Sequence, residues 1–274
     1  MPEKYLRRDA LPILLRHTGR TTLPQDPPAL GDRAPVLCLH DAGLQSSVFA
    51  GLLPEIAPEG GAIAFDLPGH GRSGSLDSLP SIEAMAEMAQ WVAQWCGALS
   101  SIDPDSPVKP VLVGHGMGAL VALEWARTAP VSGLVLCGAG LALGVEDDAI
   151  SYMREVTRGK APRPFDPKRI CSDGGRPMMQ KAYMEGIKTD PRATLVDLEA
   201  SRAWANEFDA SGIGCPTSIV SGSAEDSDCV ARAEALAARL PSCETKTIEA
   251  AAHFLPLEQP AALAAEIRRV AEAA

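Results

Sequence analysis

Short runs of consecutive apolar residues recur along the chain and predict the strands of a parallel sheet. They lie at residues 35–40, 61–65, 111–113 and 133–137, and a strand pattern returns at 216–221 and 244–248. A strand that is covered on both faces carries apolar residues at successive positions, whereas a half-exposed strand alternates. An earlier apolar run, 11–15, contains Pro12 and is predicted to be an edge strand, where a missing N–H is tolerated.

The stretches between these runs have the spacing of amphipathic helices. Residues 81–99 place apolar side chains on one face, with Ser81 as the predicted N-cap. Further helices are predicted to follow residue 116, to cover 228–240 and to begin at Pro260. Strands that alternate with helices predict an α/β fold with a doubly wound, mostly parallel sheet.

The strand pattern stops between residues 141 and 206. Helical pieces are predicted there around 150–156, 178–187 and 193–204, with turns rich in Pro and Gly between them. The sequence therefore predicts one α/β domain, residues 1–140 and 207–274, with a helical insertion at 141–206. A chain of 274 residues is long enough for both.

Composition and charge narrow the class of partner. The net charge of −10 argues against nucleic acid or an anionic membrane surface as a partner, and no apolar run reaches the roughly 18 residues of a membrane span. The seven cysteines are scattered without metal-ligand spacing, and the charged first ten residues have no signal-peptide core. The expectation is a cytoplasmic protein that binds a small molecule, without a metal or an organic cofactor.

A glycine-rich turn follows the run at 111–113 and reads Gly-His-Gly-Met-Gly, with Gly116 at its centre. A strand, a sharp turn and a helix in succession hold the central residue at positive φ, which costs a residue other than glycine about 1–3 kcal/mol. The spacing is not that of a dinucleotide-binding turn, and no phosphate-binding lysine follows. A plain glycine-rich turn before a helix remains the alternative.

Five motifs, in order, resemble those of the α/β-hydrolase family. They are an oxyanion loop (40–43), a D-x-P-G-x-G-x-S loop (66–73), a nucleophile elbow (114–118), an acid loop (222–226) and a histidine loop (252–254). The resemblance covers nearly the whole chain and is closest to capped esterases and lactonases. It implies an α/β-hydrolase fold in which residues 141–206 form the cap.

The resemblance also implies catalytic roles for particular residues. His253 matches the general base, and Glu225 matches the acid that orients it, with Asp226 and Asp228 as rivals for that role. Gly116 stands at the position of the nucleophilic serine and has no hydroxyl group. Since loss of that serine removes a factor of about 10⁶ in kcat from a related triad, little or no serine-hydrolase activity is expected.

Two backbone N–H groups, those of Met117 and Ala42, match the oxyanion donors of the family. Asp41 stands beside Ala42 where the family usually has glycine. Its carboxylate is expected to cap the turn; alternatively, it weakens the binding of an oxyanion.

Three functional interpretations stay open at this point. The first is an ester, thioester or lactone hydrolase in a form that lacks its nucleophile. The second is a natural enzyme that uses His253 as a general base, of the lyase, decarboxylase or cofactor-free oxygenase type. The third is a ligand-binding protein without catalysis.

The substrate is expected to be a small, apolar, acyl-type molecule. Methionine and aromatic side chains of the insertion either line its pocket or form the core of the insertion. These side chains are Tyr152, Met153, Met178, Met179, Tyr183, Met184 and Trp204.

Overall fold

The computed structural model describes residues 1–31, 34–57, 60–98, 109–140, 143–204 and 208–274, which form eight strands and nine α-helices. The strands are β1 (Glu3–Arg8), β2 (Leu11–His17), β3 (Val36–Leu39), β4 (Ala62–Phe65), β5 (Val111–His115), β6 (Gly133–Cys137), β7 (Thr217–Gly222) and β8 (Cys243–Ile248). The helices are α1 (Leu52–Ile56), α2 (Ile82–Trp95), α3 (Met117–Thr128), α4 (Asp147–Thr157), α5 (Gly175–Gly186), α6 (Pro191–Trp204), α7 (Ser227–Ala237), α8 (Leu255–Glu258) and α9 (Pro260–Glu272).

The strands form one sheet in the order β1-β2-β4-β3-β5-β6-β7-β8. Strands β3 to β8 pair in parallel, whereas β1 and β2 form an antiparallel hairpin whose second strand is antiparallel to β4. The predicted doubly wound, mostly parallel sheet is confirmed.

The prediction of an edge strand at residues 11–15 is wrong, because β2 lies between β1 and β4. Pro12 pairs with Arg7 of β1, whereas β4 meets β2 only over Leu15–His17. Pro12 therefore faces no partner strand on the side of β4, so its missing N–H breaks no bond of the ladder.

The central strands are buried on both faces, which accounts for their continuous apolar runs. Leu37 and Leu112 face a core that includes α2 and α3, while Val36 and Val111 face a second core that includes α1 and α9. Successive side chains of a strand point to opposite faces, so each strand contributes to both cores.

Helix α2 begins after Ser81, whose hydroxyl accepts from the N–H of Ala84 at 3.2 Å. It ends at Trp95, so the prediction that it extends to residue 99 is wrong; Gly97, with φ 68°, lies in the turn that ends it. The predicted domain boundaries at 141 and 206–207 lie outside the described residues. Within those that are described, no helix combines the length and apolar character of a membrane span.

Helices α4, α5 and α6 lie between β6 and β7, and residues 143–204 are called the helical segment below. A buried polar cluster joins it to the sheet. Asp197 of α6 accepts a hydrogen bond from the N–H of Gly43 at 2.9 Å and lies 2.7 Å from Nε2 of His70. Asp197 and His70 are fully buried.

The surroundings of His70 favour its protonated form. Its Nδ1 lies 2.9 Å from the carbonyl oxygen of Pro68, so both ring nitrogens face acceptors. Burial by itself lowers the pKa of His70, but the charge and hydrogen bond of Asp197 outweigh burial and raise it. A buried ion pair therefore fixes α6 to the loop that contains His70, and the hydrogen bond from Gly43 joins α6 to the loop after β3.

We expect Asp197→Ala to lower the free energy of unfolding by about 3–5 kcal/mol at pH 6, because it leaves a buried charge without its partner. Glu199→Ala, on the same helix but in an exposed pair with Arg154, should cost less than about 1 kcal/mol. Urea unfolding monitored by circular dichroism measures both.

The stabilisation by His70 should be complete below its unfolded pKa of about 6.5 and should be lost as the pH rises through its raised folded pKa. The difference between the parent and Asp197→Ala should therefore shrink at high pH. Equal effects of the two substitutions at pH 6 would contradict the ion pair.

Candidate active site

The turn between β5 and α3 has the conformation expected of an elbow, since Gly116 has φ 53° and ψ −116°. A second constraint at this residue was not anticipated. A Cβ atom placed on Gly116 would lie 1.9 Å from Oδ1 and 2.2 Å from Cγ of Asp41. The carboxylate of Asp41 thus occupies the space that a serine side chain needs, so Gly116 is required for lack of room as well as for its φ angle.

Both predicted oxyanion donors point at Asp41. The N–H groups of Ala42 and Met117 each donate to its Oδ1, at 2.8 Å in both cases. The expectation that Asp41 caps its own turn accounts only for the bond from Ala42. The bond from Met117 joins the loop after β3 to the elbow and places the carboxylate oxygen where the family's mechanism requires the substrate oxyanion.

The other oxygen of Asp41 faces two cationic side chains. Its Oδ2 lies 3.1 Å from Nε2 of His253 and 3.2 Å from Nη2 of Arg169. Burial by itself raises the pKa of Asp41, but the hydrogen bond from His253 and the charge of Arg169 hold it well below its ordinary value. Asp41 is therefore ionised although it is only 5% exposed.

His253 lies between two carboxylates. Its Nδ1 is 3.2 Å from Oε2 of Glu225, on the opposite side of the ring from Asp41. Burial and the charge of Arg169 favour the neutral ring, but the hydrogen bonds with Asp41 and Glu225 outweigh them and raise the pKa of His253. An imidazolium ring can donate to both carboxylates at once, which a neutral ring cannot.

Of the three candidate acids, Glu225 is the one that contacts His253. Burial raises the pKa of Glu225, and the hydrogen bond from His253 more than offsets this, so that its pKa is lowered. Asp226 is exposed and caps α7, where its side chain accepts from the N–H of Asp228 at 2.9 Å. Asp228 is exposed in the first turn of the same helix.

Two further residues that sequence reasoning did not assign to the site hold His253 in place. A Cβ on Gly138 would lie 2.8 Å from Cε1 of the His253 ring, so glycine permits the ring to pack on the backbone after β6. His115 donates from Nε2 to the carbonyl oxygen of His253 at 2.8 Å. Burial lowers the pKa of His115 to about 4, which keeps this ring neutral.

Asp41, His115 and His253 could each offer one ligand atom to a metal ion, since these atoms lie within 4.8 Å of one another. However, each oxygen of Asp41 already accepts from two donors. Oδ1 accepts from the N–H groups of Ala42 and Met117, and Oδ2 accepts from His253 and the cationic Arg169. A divalent ion would have to displace Arg169 and the His253 proton. This donor set fits an ion pair better than a metal centre.

A cavity of about 680 Å³ lies next to the ion pair of Asp41 and His253, and Gly116 and Glu225 are also among its lining residues. Its volume suits a small organic ligand. Of the apolar side chains considered for the substrate, Tyr152 and Met153 line the cavity. Met178, Met179 and Trp204 pack instead against the two cores of the domain.

Comparisons with known proteins place these features in context. A sequence model described as the alpha/beta hydrolase family matches residues 36–266. Curated relatives named pimeloyl-[acyl-carrier protein] methyl ester esterase, from Yersinia pseudotuberculosis and Yersinia pestis, are 29% identical over 126 residues. That match covers 45% of this chain and 43% of the relatives, so the chain spans less than half of their length.

Solved structures match over almost the whole chain. An esterase from Exiguobacterium antarcticum has a TM-score of 0.79 at 18% identity and covers 98% of this chain and 99% of its own. An esterase from Thermogutta terrifontis has a TM-score of 0.75 at 22% identity, with 98% and 97% covered. The enol-lactonase from Burkholderia xenovorans has a TM-score of 0.74 at 15% identity, with 97% and 98% covered. At such low identities the likeness shows the shared fold.

The contact between position 116 and Asp41 can be measured by a double-mutant cycle. Gly116→Ala should destabilise the protein by more than the control Gly159→Ala, which has a similar φ of 71° but no neighbour within 4 Å of a Cβ. The control isolates the backbone strain of about 1–3 kcal/mol. In the background of Asp41→Gly, the excess cost of Gly116→Ala should disappear, which gives a coupling energy of about 1–3 kcal/mol. Additive effects in urea unfolding would contradict the steric conflict.

The ion pair also predicts how the charge of His253 depends on pH. Asp41→Asn should lower the pKa of the His253 ring, measured by NMR titration of its Hε1 proton, whereas Asp226→Asn should leave it unchanged. Because the folded pKa is raised, the stabilisation from His253 is complete below about pH 6.5 and is lost as the pH rises through the folded pKa. In Asp41→Asn this loss should occur at lower pH. An unaltered titration in that variant would show that the two groups do not interact.

Proposed function

Because the chain belongs to the alpha/beta hydrolase family, we propose that it is an enzyme of this family in which general acid–base catalysis by His253 replaces acyl transfer through a serine. One observation carries the proposal: the carboxylate of Asp41 fills the serine position and both oxyanion N–H groups bind it. The family's acyl transfer needs a hydroxyl and an open oxyanion site at these places. Neither is available while Asp41 stays there.

The same observation argues against a disabled ester hydrolase. Such a protein would be an intact hydrolase that lost only its serine, so that serine would fit if it were restored. Here a Cβ at position 116 would collide with Asp41, and the two residues are complementary only as a pair. Asp41 and Gly116 together support a site that has diverged as a whole.

The proposed chemistry begins with the proton on Nε2 of His253. A leaving-group oxygen of the substrate takes this proton as its bond to carbon breaks and the bonding electrons stay on that oxygen, or a carbonyl oxygen takes it as the neighbouring carbon loses carbon dioxide and an enol forms. The neutral ring can then remove a proton from water or from carbon. Asp41 is itself a poor base, since its pKa is held low, and its part is to stabilise the imidazolium. Glu225 fixes the ring orientation through Nδ1.

The substrate is proposed to be a small carbonyl compound with an apolar body. The cavity has apolar walls that include Leu143, Val145, Met153 and Leu198 from the helical segment, which thereby acts as a cap. The relatives named above are an ester hydrolase of an acyl chain and lactone- and ester-cleaving enzymes, which supports an acyl or related carbonyl group as the reacting centre. Lyase, decarboxylase and water-addition reactions fit this set of groups.

The proposal is tested by incubating the purified protein with a panel of small esters, lactones, β-keto acids and β-hydroxy carbonyl compounds in D₂O. Products and deuterium incorporation are followed by NMR. We expect turnover that falls by about 10²–10⁴ in His253→Gln and is retained in Asp226→Asn. Intact mass spectrometry should detect no adduct of a fluorophosphonate probe. Turnover that survives His253→Gln, or a probe adduct that abolishes it, would contradict the proposal.

Ester hydrolysis should be recoverable by changing two residues together. Gly116→Ser with Asp41→Gly would place a serine beside His253 and free the N–H groups of Ala42 and Met117 for an oxyanion. We expect this double variant to hydrolyse aryl acetates at least about a hundredfold faster than either single variant, a fraction of the 10⁶ that a complete triad contributes. If Gly116→Ser alone were equally active, Asp41 would not exclude a serine and the disabled-hydrolase interpretation would be preferred.

A further inference from the structure

Three cationic side chains besides His253 line the cavity. Lys168 and Arg169 come from the short turn at Pro167–Arg169, and Arg232 comes from α7. Four carboxylates line it as well, so the cavity has about the same ratio of acids to bases as the chain as a whole, and what distinguishes these cations is which of them is already paired. They come from two separate segments that the fold brings together.

The carboxylates of the cavity are engaged within the protein. Glu225 accepts from His253 and from the N–H of Asp226. Asp166 and Asp226 each cap a helical turn, where they accept a backbone N–H at 2.9 Å. Asp41 accepts from four donors. These acids therefore contribute few free acceptor positions to the cavity.

Arg232 and Lys168 are placed differently. Over the described ranges of the chain, neither forms an ion pair with a carboxylate, and the guanidinium of Arg232 donates to the thiol of Cys229 at 3.1 Å. A thiol is a weak acceptor, and Arg232 is only half-buried, so its guanidinium keeps donors that a ligand in the cavity can use. Cys229 and Arg232 are three residues apart on α7 and share the face that lines the cavity.

The position of Arg232 is constrained by the loop opposite. A Cβ on Gly144 would lie 2.9 Å from the guanidinium carbon of Arg232, so the side chain packs directly on the backbone of residue 144. A guanidinium that is already fixed loses less conformational entropy when it binds a ligand, and its planar fork matches a carboxylate or a phosphate. Apolar side chains, among them Val145 and Met153, line the same cavity.

We propose that the cavity binds an amphiphilic anion, whose carboxylate or phosphate group is held by Arg232 with Lys168 nearby and whose apolar body lies along the helical segment. The inference names the substrate class of the proposed function, and binding can be measured without turnover. It makes Arg232 a specificity-determining residue, outside the group that moves the proton.

Isothermal titration calorimetry with octanoate, octyl phosphate, octanol and octylamine tests the proposal at fixed ionic strength. Octanoate or octyl phosphate should bind at least about tenfold more tightly than octanol and octylamine, and the tighter of the two identifies the preferred anion. Arg232→Gln should weaken that binding about tenfold, which is about 1.4 kcal/mol. Arg239→Gln, an exposed arginine just after α7 that does not line the cavity, should have no effect.

Ala149→Glu gives a second test that leaves Arg232 in place. It adds a carboxylate to the cavity wall and should also weaken octanoate binding. Equal affinities for octanoate and octanol, or unchanged octanoate binding in both Arg232→Gln and Ala149→Glu, would overturn the proposal. Octanoate binding by a parent protein that turns over no compound of the substrate panel would contradict the proposed function and leave this inference standing.

Discussion

The structure of the site depends on one buried charge, the carboxylate of Asp41. A buried carboxylate is costly unless donors and opposite charges compensate it, and here two backbone N–H groups, His253 and Arg169 do so. Each partner comes from a different part of the chain. A single side chain therefore fixes the positions of the elbow, the histidine loop and the turn before α5 relative to one another. This arrangement is possible because position 116 has no side chain.

This arrangement uses the oxyanion site of the family for a different purpose. In acyl transfer, preorganised N–H groups stabilise charge that develops in the transition state. In this chain they stabilise a charge that is present before any substrate binds. These N–H groups thus stabilise the ionised form of Asp41 in the ground state, and Asp41 in turn raises the pKa of His253. In the mechanism that we propose, the site begins its cycle as an acid, whereas a serine-hydrolase site begins as a base.

Most of the fold and part of the site could be predicted from the sequence, for reasons that differ between features. The parallel strands were predictable because burial on both faces leaves continuous apolar runs, and the elbow because its glycines have a fixed spacing. The contacts of Asp41 were not predictable, since its partners Met117 and His253 lie 76 and 212 positions away along the chain. The pair of His70 and Asp197, 127 positions apart, had no local signal either. The position of β2 was mispredicted because Pro12 limits only the part of the strand that contains it.

The buried link between α6 and the loop after β3 bears on how such a protein can evolve. One fold can host many functions when its sites change while the sheet stays the same. Here Asp197 of the helical segment pairs with His70 and accepts a hydrogen bond from the N–H of Gly43, two residues from Asp41. Different helices without an acid at that place would leave His70 without its partner and would no longer hold the loop that carries Asp41. A change in the helical segment is therefore coupled to the geometry of the site through Asp197.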